Sequence, residues 1–178
     1  INNGDDVNPE LRSRFVAQEI KRKGSGDTIF AATPPLEAKK ALFSFAVTED
    51  IGWGKDWQYK LEFIDVKRAY FYASARRDIY IEIPEEDRQP GDENKVGKLN
   101  LSLYGTRDAA QNWTIEYTET MEMLGFKTGL ASPCNFHHYG RNVSVTVHGD
   151  DFTATGTDAD LEWFKNAVAK KYDIKHSK

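Results

Sequence analysis

The sequence predicts an α+β fold in which helices cover one face of a mostly antiparallel sheet and leave the other face open. Three observations point there. Candidate elements follow the order strand, helix, strand, strand, helix, hairpin, helix. Ala110, Trp113, Tyr117, Met121 and Leu124 lie three or four apart and form a single apolar stripe. Val143, Val145 and Val147 alternate with polar residues, His148-Gly149-Asp150-Asp151 interrupts, and Phe152 to Thr155 resumes the extended pattern, which reads as a hairpin with Gly-Asp-Asp at its tip.

Taken in order, the Asn-, Asp- and Gly-rich start reads as a loose terminus, Arg12 to Gln18 as a short strand, and the basic stretch Lys21 to Gly26 as a turn. Pro34 and Pro35 open a helix through Leu36, Leu42, Phe43, Ala46 and Val47, which ends before Gly52. Leu61 to Val66 is a strand. Ile79 to Ile83 alternates as a strand and stops at Pro84, which has no N–H to donate, and an exposed polar loop runs from Glu85 to Lys95. The stripe helix spans Asp108 to Leu124, with Gly125 where a C-terminal cap is expected. Thr157, with Asp160 three residues on, resembles a capping box for a helix packed through Leu161, Phe164 and Val168.

Hydrophobic residues make up 39% of the 178 and charged residues 29%, a globular composition for one compact unit. No apolar run approaches the ~20 residues that cross a bilayer as a helix, which argues against a membrane role. The start at Ile1 without a leader reads as a piece of something longer, and the single Cys134 fits an intracellular, reducing setting. A net charge of −4 argues mildly against a dedicated nucleic-acid binder, but positive charge gathers at Arg12, Arg14, Lys21, Arg22 and Lys23, and again at Lys67, Arg68, Arg76 and Arg77. These are either phosphate-tracking patches or solvated faces.

Adjacent carboxylates at a tight turn repel one another unless a cation lies between them, although aspartates also favour ordinary hairpin tips. Asp65 adds weight to the first reading. It follows Leu61, Phe63 and Ile64 in a strand expected to be largely buried, and buried carboxylates are rare without a partner. If this strand lies beside the hairpin, Asp65, Asp150 and Asp151 converge on two Mg²⁺ ions ~3.5–4 Å apart, an arrangement suited to phosphoryl displacement. The alternative is an ion pair of Asp65 with Lys67 or Arg68.

Several blocks in order carry a family pattern. Phe63-Ile64-Asp65-Val66-Lys67-Arg68-Ala69-Tyr70-Phe71 resembles "LDVKNAF", and Ile79 to Pro84 resembles "VYMEQP". Lys98 to Gly105, leading to Trp113, is similar to "KLKKSLYGLKQAPRAW". Leu124-Gly125-Phe126 with Ser132-Pro133-Cys134-Asn135-Phe136 is similar to "LGF…SDPCLF", and His148-Gly149-Asp150-Asp151 stands at "YVDD". Together they resemble the reverse transcriptase of copia-type retrotransposons. That resemblance implies a palm, about residues 61–175, plus partial fingers, about residues 10–60, with thumb and ribonuclease H lying outside this chain.

It further implies RNA- and DNA-templated DNA synthesis: a primer 3′-hydroxyl attacks the α-phosphate of a dNTP and releases pyrophosphate. Asp65, Asp150 and Asp151 would hold Mg²⁺ or Mn²⁺. Tyr70 matches the aromatic under the incoming sugar, or packs in the core beside Phe71. Tyr104 and Gly105 match the nucleotide pocket, Arg12 and Arg14 the finger strand that meets the triphosphate, and His148 and Gly149 the primer and template side. Implied partners are an RNA or DNA template-primer, dNTP and the remaining polyprotein domains, in a cytoplasmic particle or the nucleus. His148 and Gly149 depart from the family residues before the Asp pair, Ala110 replaces a proline, and Asp108 brings negative charge to the pocket. The alternatives are a degenerate or domesticated palm that binds nucleic acid or protein without catalysis, and a palm enzyme making other phosphodiesters, against which the "SLYG" and "PCNF" blocks argue. Cys134, His137 and His138 are read as family packing rather than as a metal site.

Overall fold

The computed structural model describes residues 15–20 and 29–178. Its helices are α1 (Leu36–Val47), α2 (Ala109–Met123) and α3 (Asp158–Ala169). The strands are β1 (Trp53–Gly54), β2 (Trp57–Gln58), β3 (Lys60–Val66), β4 (Tyr80–Glu82), β5 (Val96–Lys98), β6 (Lys127–Thr128), β7 (Asn135–His138), β8 (Val143–His148), β9 (Asp151–Gly156) and β10 (Ile174–Ser177). Six of them form one antiparallel sheet in the order β10-β3-β9-β8-β7-β6, while β1-β2 and β4-β5 are separate ribbons. The strand predicted at Ile79–Ile83 therefore lies outside the main sheet. Its partner is β5, across the polar loop that Pro84 begins.

Strand alternation divides the main sheet into two faces. Ile64, Val66, Val145, Val147, Phe152 and Ala154 share one face and form the core with Trp113, Tyr117 and Met121 of α2 and Leu161, Phe164 and Val168 of α3. The second face carries Phe63, Asp65, Thr146, Asp151 and Thr153. The expectation that this face stays open is corrected: α1 crosses β9, β8 and β3 on it, with the Phe43 ring 6.3 Å from Phe63. The cause lies in the sequence of both elements. Leu42 and Ala46, one turn apart, are buried as α1 crosses, and Thr146, Thr153 and Thr155 are buried rather than left in water.

Helix ends follow the predicted signals. Gly125 has φ +92, its N–H donates to Glu122 O at 3.0 Å and Phe126 N–H to Met121 O at 3.0 Å, the paired bonds of a Schellman cap. Thr157 caps α3, its hydroxyl accepting from Asp160 N–H at 3.4 Å and donating to Asp160 Oδ2 at 2.7 Å. The predicted strand at Arg12–Gln18 is only partly described. Residues 15–20 take no strand conformation and run beside the loop before α2, with Ala17 N–H donating to Tyr104 O at 2.7 Å. Arg12, Arg14 and the turn at Lys21–Gly26 lie outside the described residues.

The edge strand β10 is polar, yet it pairs with β3 from Ile174 opposite Val66 to Ser177 opposite Phe63. Charge helps hold it there. Glu62 is fully buried on the helix side of β3, His176 Nδ1 lies 3.0 Å from its Oε1, and Lys178 pairs with Asp158 at 3.2 Å.

Candidate active site

Asp65 of β3 and Asp151 of β9 are direct partners across the antiparallel pair, Lys175 of β10 is the next partner of Asp65, and His148 of β8 is the partner of Asp151. Lys175, Asp65, Asp151 and His148 thus form one row across four strands on the face that α1 partly covers. Directly opposed residues place their Cβ atoms roughly 4.5–5.5 Å apart, so two carboxylates confront one another here. Asp65 is half-buried rather than deeply buried: Glu62, Ile64 and Val66 take the core side of β3, while Phe63 beside it stays 39% exposed. The ion-pair alternative for Asp65 is not formed with Lys67, whose Nζ meets Asp173 Oδ1 at 2.8 Å. Among the described residues no ion pair engages Asp65, Asp150 or Asp151.

Gly149 and Asp150 make the two-residue connection between β8 and β9. Gly149 has φ +64 and Asp150 does not have a positive φ, the pattern of a type II′ turn with glycine first. Both turn carbonyls are held. Trp113 Nε1–H donates to Gly149 O at 2.8 Å, and Val66 N–H donates to Asp150 O at 2.9 Å. The tip is thereby fixed from α2 on one side and from the end of β3 on the other. Burial, then the charges of Asp150 and Asp65, push the Asp151 carboxyl above its ordinary range, with Lys39 of α1 and His148 opposing. The three carboxylates therefore feel one another. Among the described residues no three His, Cys, Asp or Glu side chains close on one point as a finished metal cage. Like charges in one row keep apart, and what the row offers is hard oxygen donors with no protein cation bound to them.

An open groove of about 380 Å³ runs beside the row, lined by Lys39, Phe43, Phe63, Asp65, Asp151 and Lys175 among others. On the other side of the tip, Tyr70 follows Arg68, whose φ is +56, in a single 3-10 turn after β3. The Tyr70 ring lies 4.5 Å from that of Tyr104, which Phe71 meets edge-on at 5.6 Å. Burial, then the charge of Asp150, push the Tyr70 phenol up. Gly105 has φ +89, and a Cβ there would fall 1.8 Å from Ala17 O, so glycine is what allows residues 15–20 to lie against this loop.

Asp108, expected to put negative charge near the pocket, is ion-paired with Arg77, a cation it shares with Glu19. Arg77 Nη2 donates to Asp108 Oδ1 at 2.8 Å, Asn112 Nδ2 donates to Oδ2 at 3.1 Å, and the Arg77 bond above all holds the Asp108 carboxyl below its usual range. Cys134 is fully buried near Tyr117, and His137 bonds Ser144, in keeping with the packing reading of that cluster. Sequence reasoning missed the turn-holding role of Trp113, the approach of Lys39 and the Arg77 network. Trp113 carried a signal, since an indole in a buried stripe needs an acceptor, whereas Lys39 and Arg77 act across distances in sequence that local patterns do not encode.

The family model described as "Reverse transcriptase (RNA-dependent DNA polymerase)" matches residues 2–177. Among curated proteins the chain is 26% identical, over 97% of its length, to the retrovirus-related Pol polyprotein from transposon TNT 1-94 of Nicotiana tabacum, covering 13% of that protein. It is 24% identical over 89% of its length to that from transposon RE1 of Arabidopsis thaliana, covering 11%. It is 24% identical over 92% of its length to the truncated transposon Ty1-A Gag-Pol polyprotein of Saccharomyces cerevisiae, covering 13%. The chain spans only about an eighth of such relatives, yet the family match runs almost from end to end, and together with the carboxylate row this closes the question of kinship: the chain belongs to the reverse transcriptase (RNA-dependent DNA polymerase) family, in its copia-type retrotransposon branch.

Proposed function

We propose that this chain is the fingers and palm portion of an RNA-directed DNA polymerase, about residues 10–60 and 61–175, catalysing two-metal nucleotidyl transfer from a dNTP to a primer 3′-hydroxyl. One observation carries the reading: Asp65 and Asp151 oppose each other across β3 and β9, with Asp150 beside them on a turn whose two carbonyls are both held. The donor set fits divalent cations, because three carboxylates gather charge without an ion pair, and the Asp151 carboxyl is pushed up first by burial and then by the charges of Asp150 and Asp65. Asp65, Asp150 and Asp151 would hold Mg²⁺ or Mn²⁺. When bound, the metals supply Lewis acidity at the α-phosphate and offset charge on the attacking and leaving oxygens.

The chain's own residues position the reactants. Trp113 and Val66 fix the tip, so Asp150 need not reorganise during reaction. The Tyr70 and Tyr104 rings form a floor for the incoming sugar, and His148 and Gly149 present the tip to the primer terminus. Arg12 and Arg14 would reach the triphosphate. The partners in this reading are dNTP, an RNA or DNA template-primer, and the thumb and ribonuclease H of a parent polyprotein inside the cell.

Extension of a labelled DNA primer on an RNA template, with Mg²⁺ or Mn²⁺, tests the proposal beside Asp150→Asn. Extension by the wild type and its loss in the variant support the polymerase. A folded wild type that binds the duplex but extends nothing under any condition, alone or joined to the rest of a Pol polyprotein, supports a non-catalytic palm instead.

A further inference from the structure

Glu19 receives three donors from two parts of the chain: Arg77 Nη1 at 3.0 Å, Arg77 Nη2 at 2.9 Å and the Arg107 N–H at 2.8 Å. Arg77 also reaches Asp108 at the start of α2, whose other oxygen accepts from Asn112, which in turn donates to Ser102 Oγ at 3.0 Å. Two residues before Glu19, Ala17 N–H donates to Tyr104 O, and Gly105 leaves the space that lets Ala17 approach. The carbonyl of Tyr104 is thus bonded to the same short segment that Arg77 grips, and the Tyr104 ring carries Tyr70. A bidentate guanidinium fixes direction as well as distance, so this grip sets where the segment lies rather than only that it stays.

We propose that Arg77, acting through Glu19 and Asp108, is a positioning residue that seats residues 15–20 against Tyr104 and so sets the geometry of the dNTP pocket. The proposal rests on the polymerase reading for its ligand. Burial supports it: the Asp108 side chain is 5% exposed, so removing Arg77 strands a carboxylate in the interior, and the structure keeps the guanidinium there even though its Nε has no hydrogen-bond partner. The Glu19 carboxyl is held below its usual range, first by Arg77. The chain thereby couples a segment ahead of α1 to the loop ahead of α2 through charge, where an apolar contact would allow sliding.

The test uses the full chain with Glu19→Gln, which removes the charge at the partly exposed partner, beside Arg77→Lys and Arg77→Ala. Primer extension is titrated with dNTP, duplex affinity is read by fluorescence anisotropy, and amide exchange is followed at Ala17 and Arg107. Glu19→Gln should raise the dNTP KM about tenfold while kcat and duplex Kd stay within about twofold, with faster exchange at both amides. Arg77→Lys should fall between wild type and Arg77→Ala, since it keeps charge but loses the fork. An unchanged KM in a folded Glu19→Gln protein overturns the proposal while the polymerase reading stands. If the wild type does not extend primers, the exchange arm decides: unchanged protection of Ala17 and Arg107 in Glu19→Gln overturns the grip, and lost protection upholds it as the device that seats the segment.

Discussion

Replacing Trp113 by Phe separates the role of this side chain in the core from its hold on the Gly149-Asp150 turn. The ring is 1% exposed and packs edge-on against Tyr117, Phe152 and Tyr172, contacts that phenylalanine largely keeps. What is lost is the bond from Nε1 to Gly149 O at 2.8 Å. One neutral hydrogen bond is worth about 1 kcal/mol net, and the partial cavity left by the smaller ring about 1–2 kcal/mol more, so the variant should be about 2–3 kcal/mol less stable. Against the roughly 5–15 kcal/mol of a typical domain, that leaves the protein folded. The effect on reaction should be larger than stability implies. On the polymerase reading, Asp150 lies in a tip that then keeps the Val66 bond but not the Trp113 one, and misplacement of a reacting group by ~1 Å costs up to about 100-fold, so kcat should fall about 10- to 100-fold. Urea denaturation gives the first quantity and single-turnover extension the second. Tyr117→Phe is the control: its hydroxyl meets the Cys134 Sγ at 3.9 Å and the Thr114 side chain, away from the turn, so it should cost about 1 kcal/mol and spare kcat. A Trp113→Phe protein with the kcat of Tyr117→Phe would refute the idea that this indole positions the carboxylates.

Asp151→Asn should be more stable than wild type at neutral pH without divalent cations. Because the folded-state carboxyl is raised, its contribution to stability is full below the unfolded value of about 3.9 and is lost as pH rises through the folded value; the advantage of Asn therefore opens above about pH 4, closes in acid, and stays below about 1 kcal/mol because the exposed site is screened. Thermal melts across pH that run parallel for the two proteins would count against it. Gly105→Ala and Gly149→Ala should differ sharply. At Gly105 the added Cβ meets Ala17 O at 1.8 Å, so a loss of at least about 3 kcal/mol and proteolysis near residues 15–20 are expected; at Gly149 nothing lies within 4 Å and only the positive φ costs, about 1 kcal/mol. Equal melting losses would contradict both assignments.

The hairpin, α2 with its glycine cap, α3 with its Thr157 cap and the strand carrying Asp65 were legible because each is specified locally, by period or by cap chemistry. The carboxylate row followed once β3 and β9 were neighbours, and the resemblance alone suggested that. Other parts were not legible. Lys127–Thr128 is too short for any period, and Ile174–Ser177 is a strand only because β3 lies beside it and Glu62 answers His176. The burial of Glu62 in the middle of an apolar face runs against composition, since a carboxylate there announces an exposed position. The strand read over Arg12 to Gln18 leaned on the apolar Phe15, Val16 and Ala17, but its described part lies against a loop, where Gly105 leaves room for Ala17 and Arg77 bonds Glu19. That α1 crosses the second face was hidden because its Leu42 and Ala46 declare a buried side without declaring which surface buries them.

The construction of β10 has a consequence for how the molecule comes apart. The inner strands β3, β9 and β8 are bound to the core by valines, isoleucine and phenylalanine, whereas β10 is tied by backbone pairing to β3, by the partly buried Ile174, and by the water-exposed His176 and Lys178 reaching the buried Glu62 and the exposed Asp158. Salt screens the exposed Lys178–Asp158 pair more than the ties to the buried Glu62. The sheet therefore has a detachable margin: rising salt should loosen β10 before the core melts, baring the edge of β3 at Asp65 and leaving the buried Glu62 without its partners His176 and Lys178. The strand that carries the first carboxylate changes from an interior strand to an edge strand by that single detachment, so the ionic strength around the protein sets how rigidly Asp65 is framed.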